Sequence, residues 1–232
     1  MKLNFWAVML SVATLASFAV VPAYSQDMSD LTDRLAEASK VVREIENVPD
    51  GGIPDTIVSK ANCIAVIPSV KKGAFIVGAS YGQGVVSCRN RGRWSAPVFI
   101  RLAGASFGFQ IGGQATDLVL VAVNSKGFED LLHSKFKIGA GASAAAGPVG
   151  RHAEAATDIL LNAELLTYSR AKGLFAGVDL NGATISQNTD DTNLFYGGKA
   201  KTYREILSGG VRTPANGRQF VNTLSRYFRS TR

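Results

Sequence analysis

At 232 residues the chain has room for a single domain with a full hydrophobic core. Twenty-five Lys and Arg against 18 Asp and Glu give a formal charge of +7, which on an exported protein favours phosphate-bearing lipids or cell-wall polyanions over nucleic acid. Two histidines without a second His or carboxylate at ligand spacing, and two cysteines outside any paired motif, argue against a metal centre.

The first segment reads as a secretory signal, not as part of the fold. Lys2 precedes an apolar run from Leu3 to Val21, and Ala23 and Ser25 then supply the small residues that a signal peptidase needs. The expected division is a leader over 1–25 and one domain over 26–232, with the charge falling from +7 to +6 when Lys2 is removed. The mature protein is expected in the periplasm or outside the cell, peripheral to a membrane if it meets one.

Leu31, Leu35, Ala38, Val42 and Ile45 recur at steps of three and four, so 28–47 is a helix with one apolar face. Its polar face is net acidic, which favours packing on the core over lying on an anionic membrane. Pro54 opens a short second helix to about Lys60. Short β-rich runs follow at 63–67, 74–79 and 85–88, divided by Pro68, Gly73, Gly82 and Gly84. A two-faced strand over 98–103 comes next, and 118–123, apolar at every position, predicts a central strand buried on both faces. Ser125 opens a short helix over 128–132, and the Gly/Ala/Ser tract 138–146 is too short and too weakly apolar to span a bilayer. Strands resume at 165–170, 174–180 and 183–187, and a helix with Phe220, Val221, Leu224 and Phe228 on one face closes the chain. The fold class is α+β: a mainly antiparallel, strongly bent sheet or partly closed barrel, with helices at both ends.

Cys63 and Cys88 pull in two directions. A lone pair in an oxidising compartment usually bridges, yet a three-stranded meander puts them toward opposite ends of non-adjacent strands. Both readings stand at this level.

Two pentapeptides fit GxSxG, centred on Ser80 and Ser106, and a triad could be drawn with Asp117 and His133 or His152. That pattern requires a strand turning sharply into a helix, whereas both serines lead into glycine-rich, strand-like sequence. A serine hydrolase is therefore the weaker alternative, behind a structural envelope protein without ligand. An outer-membrane barrel is opposed by the charged terminal helices. No cofactor is expected.

The strongest functional signal is basic. In a meander, the loop bearing Lys71 and Lys72 and the loop bearing Arg89, Arg91 and Arg93 project from one sheet edge, with Trp94 beside them. Five cations near an anionic bilayer contribute up to roughly 5 kcal/mol before screening.

The segments AVIPSVKKGAFIVGASYGQGVVSCR, WSAPVFIRLAGASFGFQIGGQATDLVLV, GPVGRHAEAATD and YSRAKGLFAGVDLNGATI resemble the SYLF family of lipid-binding domains, over about residues 50–207. The resemblance implies an α+β domain that binds phosphoinositides or other acidic lipids in eukaryotic members, some of which also bind and bundle actin. It adds Arg151 and Lys172 to the candidate lipid contacts. Eukaryotic members use a basic amphipathic helix at the start of the domain, whereas 28–47 is acidic here. An exported protein has no actin to meet, so actin binding is not expected, and an anionic phospholipid or a phosphoinositide-like head group is the expected ligand.

Overall fold

The computed structural model describes residues 27–48, 52–74, 77–107, 115–124, 127, 129, 133, 135–138, 144–149, 163–171, 174–177, 180, 182–198 and 202–229. The expected leader over 1–25, the expected helix over 128–132 as a whole, and most of the 138–146 tract lie outside the described residues, as do Arg151, His152 and Lys172.

Helix α1 (Met28–Glu46) begins at Asp27, whose carboxylate accepts from the Ser29 and Asp30 amides while Asp30 reaches back to the Asp27 amide. This reciprocal cap satisfies donors that no helical turn can reach. Its buried face is the expected one: Leu31, Leu35, Ala38, Val42 and Ile45. Helix α2 (Asp55–Lys60) follows Pro54.

The strands are β1 (Cys63–Ala74), β2 (Val77–Asn90), β3 (Arg93–Trp94), β4 (Val98–Phe107), β5 (Ala115–Ala122), β6 (Lys135–Lys137), β7 (Ala144–Ala146), β8 (Leu165–Ala171), β9 (Leu174–Gly177) and β10 (Thr184–Gln187). They order as β6-β10-β4-β2-β1-β5-β8-β7, with β3 on β2 and β9 on β8. Every pair is antiparallel except β7 with β8, so the sheet is mixed and strongly curled into a half-barrel. Helices α3 (Thr189–Phe195), α4 (Tyr203–Leu207) and α5 (Arg218–Tyr227) complete the α+β fold.

Two apolar clusters show how the curl works. One joins Phe136 of β6, near one edge, to Leu165 of β8, near the other, through Ile67, Val86, Leu102 and Leu120, so it fills the concave side, where Ile206 and Leu207 of α4 close it. The other places α1 and α5 over Ile64, Val66, Val85, Phe99, Val119 and Val121 on the convex side. Strand β5 contributes to both, as a central strand buried on both faces must.

The meander is corrected. Residues 63–67 belong to β1, while 77–79 and 85–88 both belong to β2, which runs unbroken from Val77 through Gly82 and Gly84 to Asn90. Pro68-Ser69 is a bulge, not a turn. Between the pairs Val66↔Val85 and Lys71↔Tyr81, β1 advances five residues and β2 four, and Ser69 sits at φ 50. The Ser69 amide donates to Asp117 Oδ1 (2.9 Å). Opposite the bulge, a Cβ on Gly84 would lie 2.3 Å from the Val66 oxygen, so only glycine lets β2 pass.

The hairpin register also decides the cysteines. Cys63 pairs directly with Cys88, and the Arg89 amide donates to the Asn62 oxygen. The flanking pair is thus the hydrogen-bonded one, which makes the cysteines the closer kind of cross-strand pair. They form a disulfide with Cα atoms 4.0 Å apart. The separation that argued against a bridge came from the extra strand.

Glu46 ends α1 with Oε1 buried and unbonded among the described residues. Desolvation first, and then the charge of Asp55, raise its pKa from 4.5 to about 7. Between those values the folded state holds a proton that the unfolded chain releases, so this group's contribution falls as pH rises from about 4.5 to 7. The full penalty, reached above pH 7, is of the order of 2–3 kcal/mol. Glu46→Gln should therefore raise the urea midpoint at pH 8 and leave it nearly unchanged at pH 4.5. Equal shifts at both pH values would show that Glu46 is not the titrating group.

Candidate functional site

The register places the two basic clusters apart. Lys71 pairs with Tyr81, and Arg89 lies eight residues further along β2, about 25 Å at strand spacing. Lys71 is exposed, at the end of the hairpin where β1 passes into β2, and Lys72 pairs with Ser80 in the same strand. Arg89, Arg91 and Arg93 are at the other end. The side-by-side arrangement expected from a meander is not formed.

Within the arginine cluster the side chains divide again. Arg89 is half-buried and caps two helix ends at once: Nη1 donates to Ser59 O (2.9 Å), and Nη2 donates to Val58 O (3.3 Å) and Phe228 O (2.9 Å). The last carbonyls of α2 and α5 have no helical partner, and a guanidinium satisfies them while complementing the helix dipoles. Its Cζ stands 5.0 Å from the centre of the Trp94 ring. Burial holds the Arg89 pKa below its ordinary value. Trp94 is only 7% exposed, donates from Nε1 to Phe228 O (3.3 Å) and meets the Phe228 ring edge-on. Arg89 and Trp94 therefore tie the hairpin to the terminal helix, and Trp94 does not present an indole to a bilayer.

Arg91 and Arg93 remain exposed. Arg91 (φ 48) and Gly92 (φ 79) form a two-residue turn with both φ positive, flanked by the pair Asn90↔Arg93, the geometry that matches strand twist. Across from this turn, α4 ends in a Schellman motif: the Gly209 amide donates to Ile206 O and the Gly210 amide to Glu205 O, both at 3.0 Å. The Asn90 side-chain amide donates to Ser208 O and fixes the two segments together. Between them lies a groove of about 650 Å³ lined by Arg91, Arg93, Ser95, Gly209, Gly210 and Arg212. None of the three arginines makes an ion pair or hydrogen bond among the described residues, while Glu205 lies against Gly210. Lys60 and Arg229, both exposed, are next in the chain to two of the carbonyls that Arg89 holds, so one pole carries five solvent-facing cations. Arg212, Lys60 and Arg229 escaped sequence reasoning. Gly209-Gly210 marks a helix end ahead of Arg212, but nothing local says what that end faces.

The two GxSxG pentapeptides face one another in the β2–β4 ladder, with Ser80 opposite Gly104 and Ser106 opposite Gly78. Both serines lie within paired strands and not at a turn, so neither occupies the strand–turn–helix elbow that exposes a nucleophile. Asp117 is engaged elsewhere, receiving Arg170 Nη2 at 2.6 Å, and the same Arg170 nitrogen lies 2.7 Å from Glu44 Oε2 on α1. No group of three or more potential metal ligands occurs among the described residues, and none of the described helices is long and apolar enough to cross a membrane.

Residues 103–227 match the family described as "Ysc84: Las17-binding protein actin regulator". The chain is 32% identical over 206 residues to "SH3 domain-containing YSC84-like protein 1" of Rattus norvegicus, covering 86% of this chain and 60% of that protein. It is 33% identical over 212 residues to "Protein YSC84" of Saccharomyces cerevisiae, covering 87% and 45%, and 36% identical over 171 residues to its "LAS seventeen-binding protein 3", covering 71% and 36%. The chain thus spans at most about 60% of the length of these curated relatives. With the family matched over more than half of the chain, this protein belongs to the Ysc84 (SYLF) family.

Proposed function

We propose that the domain is a non-catalytic module that binds phosphate-bearing lipid head groups through the arginine-lined pole. The observation that carries this reading is the groove itself, lined by Arg91, Arg93 and Arg212, none of which makes an ion pair or hydrogen bond among the described residues. Guanidinium groups suit phosphate because their paired donors meet two oxygens at once. Five cations at an anionic surface contribute up to roughly 5 kcal/mol, and a head group seated in the groove adds directed hydrogen bonds. The Cys63–Cys88 disulfide favours an oxidising compartment and so supports export, where anionic phospholipid or lipopolysaccharide phosphate would be met. Lys71 and Lys72 are too distant to join the same contact.

Arg91→Glu combined with Arg93→Glu is expected to weaken co-sedimentation with phosphatidylglycerol vesicles at least tenfold and to flatten its salt dependence, with phosphatidylcholine vesicles unbound throughout. Undiminished binding by this variant would refute the assignment. The actin and Las17 associations in the family's description have no counterpart in this proposal.

A further inference from the structure

The described helices cover the outer face of the sheet only in part. Directly opposite residues in a ladder share a face, so the registers can be read across five strands. One row runs Lys137–Thr184–Ala103–Tyr81–Lys71, and the next runs Lys135–Ser186–Arg101–Gln83. Both lie on the convex side, because Val85 and Phe99, two residues further along β2 and β4, pack under the helices. Where α1 and α3 end their cover, the face opens: Lys71, Tyr81, Ala103, Lys135 and Lys137 are exposed, and Thr184 and Ser186 are partly so.

At about 4.8 Å per strand, Lys135 and Arg101 stand about 10 Å apart, and Lys137 and Lys71 about 19 Å. Among the described residues Arg101 pairs with Asp190 at 3.8 Å, which is itself 90% exposed. Tyr81, 49% exposed, is the large aromatic of the stripe, and it is held in place. Its hydroxyl accepts from Gln83 Nε2 (3.1 Å), Gln83 Oε1 accepts from Arg34 Nη2 (2.6 Å), and Arg34 is in a buried ion pair with Asp191. A hydrogen-bonded chain thus anchors an exposed ring to the protein interior.

We propose that this stripe is a second binding surface, independent of the arginine groove, and that its occupant is an extended anionic polysaccharide. Two rows of cations separated by small and hydroxylated side chains fit a flat chain bearing periodic negative charge, and a rigid tyrosine offers a face for a sugar ring. An acidic peptide adding a strand would use the sheet edge, not this face. A lipid head group is better seated in the groove at the other pole, and among the described side chains of the stripe only Tyr81 is large and apolar. Single-stranded nucleic acid calls for successive stacking platforms, where one ring stands here.

The test uses the whole protein with dextran sulfate, polygalacturonate, neutral dextran, an oligonucleotide and phosphatidylglycerol vesicles as probes. Lys135→Glu with Lys137→Glu should weaken binding to both anionic polysaccharides at least tenfold and leave vesicle binding unchanged. Glutamate also keeps a charged guard on the edge strand β6, so loss of binding does not reflect loss of edge protection. Tyr81→Ala should weaken polysaccharide binding in high salt as well, since stacking is not screened. The proposal is overturned if Arg91→Glu with Arg93→Glu weakens polysaccharide binding as much as the stripe variants do. It is also overturned if neutral dextran binds equally well, or if the stripe variants lose oligonucleotide or vesicle binding instead.

Discussion

Arg34→Met is expected to cost about 3–5 kcal/mol of unfolding free energy, the largest single-residue effect anticipated in this fold. Arg34 crosses from α1 to the sheet with only 9% of its side chain exposed, pairs with Asp191 Oδ2 at 2.5 Å, donates to Gln83, and lies over the Phe99 ring at 5.5 Å. Asp191 is 3% exposed, so Arg34→Met removes the counter-charge at 2.5 Å from a carboxylate that stays buried. The magnitude comes from that buried carboxylate and not from the net worth of the pair, because two buried charges lose hydration that their attraction only partly offsets. Arg34→Met combined with Asp191→Leu should accordingly recover most of the loss. Guanidinium unfolding of both variants checks this, and a loss under 1 kcal/mol for Arg34→Met would show the pair to be dispensable.

Removing the disulfide ranks second. It links residues 25 apart in sequence, and confining such a loop in the unfolded chain is worth about 3 kcal/mol. Cys63→Ala with Cys88→Ala should lower stability by roughly that amount and make the protein insensitive to reductant, while the unmodified protein loses a similar amount when unfolded in reductant. Stability unaffected by both treatments would mean that the bridge constrains nothing. The link sits immediately before Arg89 and pins the strand that leads into the Arg91-Gly92 turn, so vesicle binding should become less sharply defined in the same variant.

Periodicity made the helices and the central strand legible. Apolar residues at steps of three and four marked α1, and an unbroken apolar run marked β5. The β1–β2 hairpin was misread because Pro and Gly punctuate turns and bulges alike. Pro68 lies in the bulge and Gly84 passes against Val66 and Ile67 beside it, whereas the strands are joined between Ala74 and Val77, a stretch with neither Pro nor Gly. From that one ambiguity came both the doubt over Cys63–Cys88 and the expected meeting of Lys71 with Arg91. Arg91 and Arg93 were found because a charged turn is a local signal. Arg212 was not, because its place opposite them depends on how α4 docks, a tertiary fact with no local pattern.

Along an extended chain, orientation is a matter of odd and even. Cys63, Ala65 and Ile67 point into the half-barrel, and by simple alternation Lys71 would follow them into the apolar interior. The supernumerary residue at Ser69 resets the parity, so that Val70 turns inward and the lysine reaches water. Losing one residue there would invert the remainder of the strand and swap a valine for an ammonium in the interior. The length of this short stretch therefore constrains the sequence as firmly as the identity of any side chain within it.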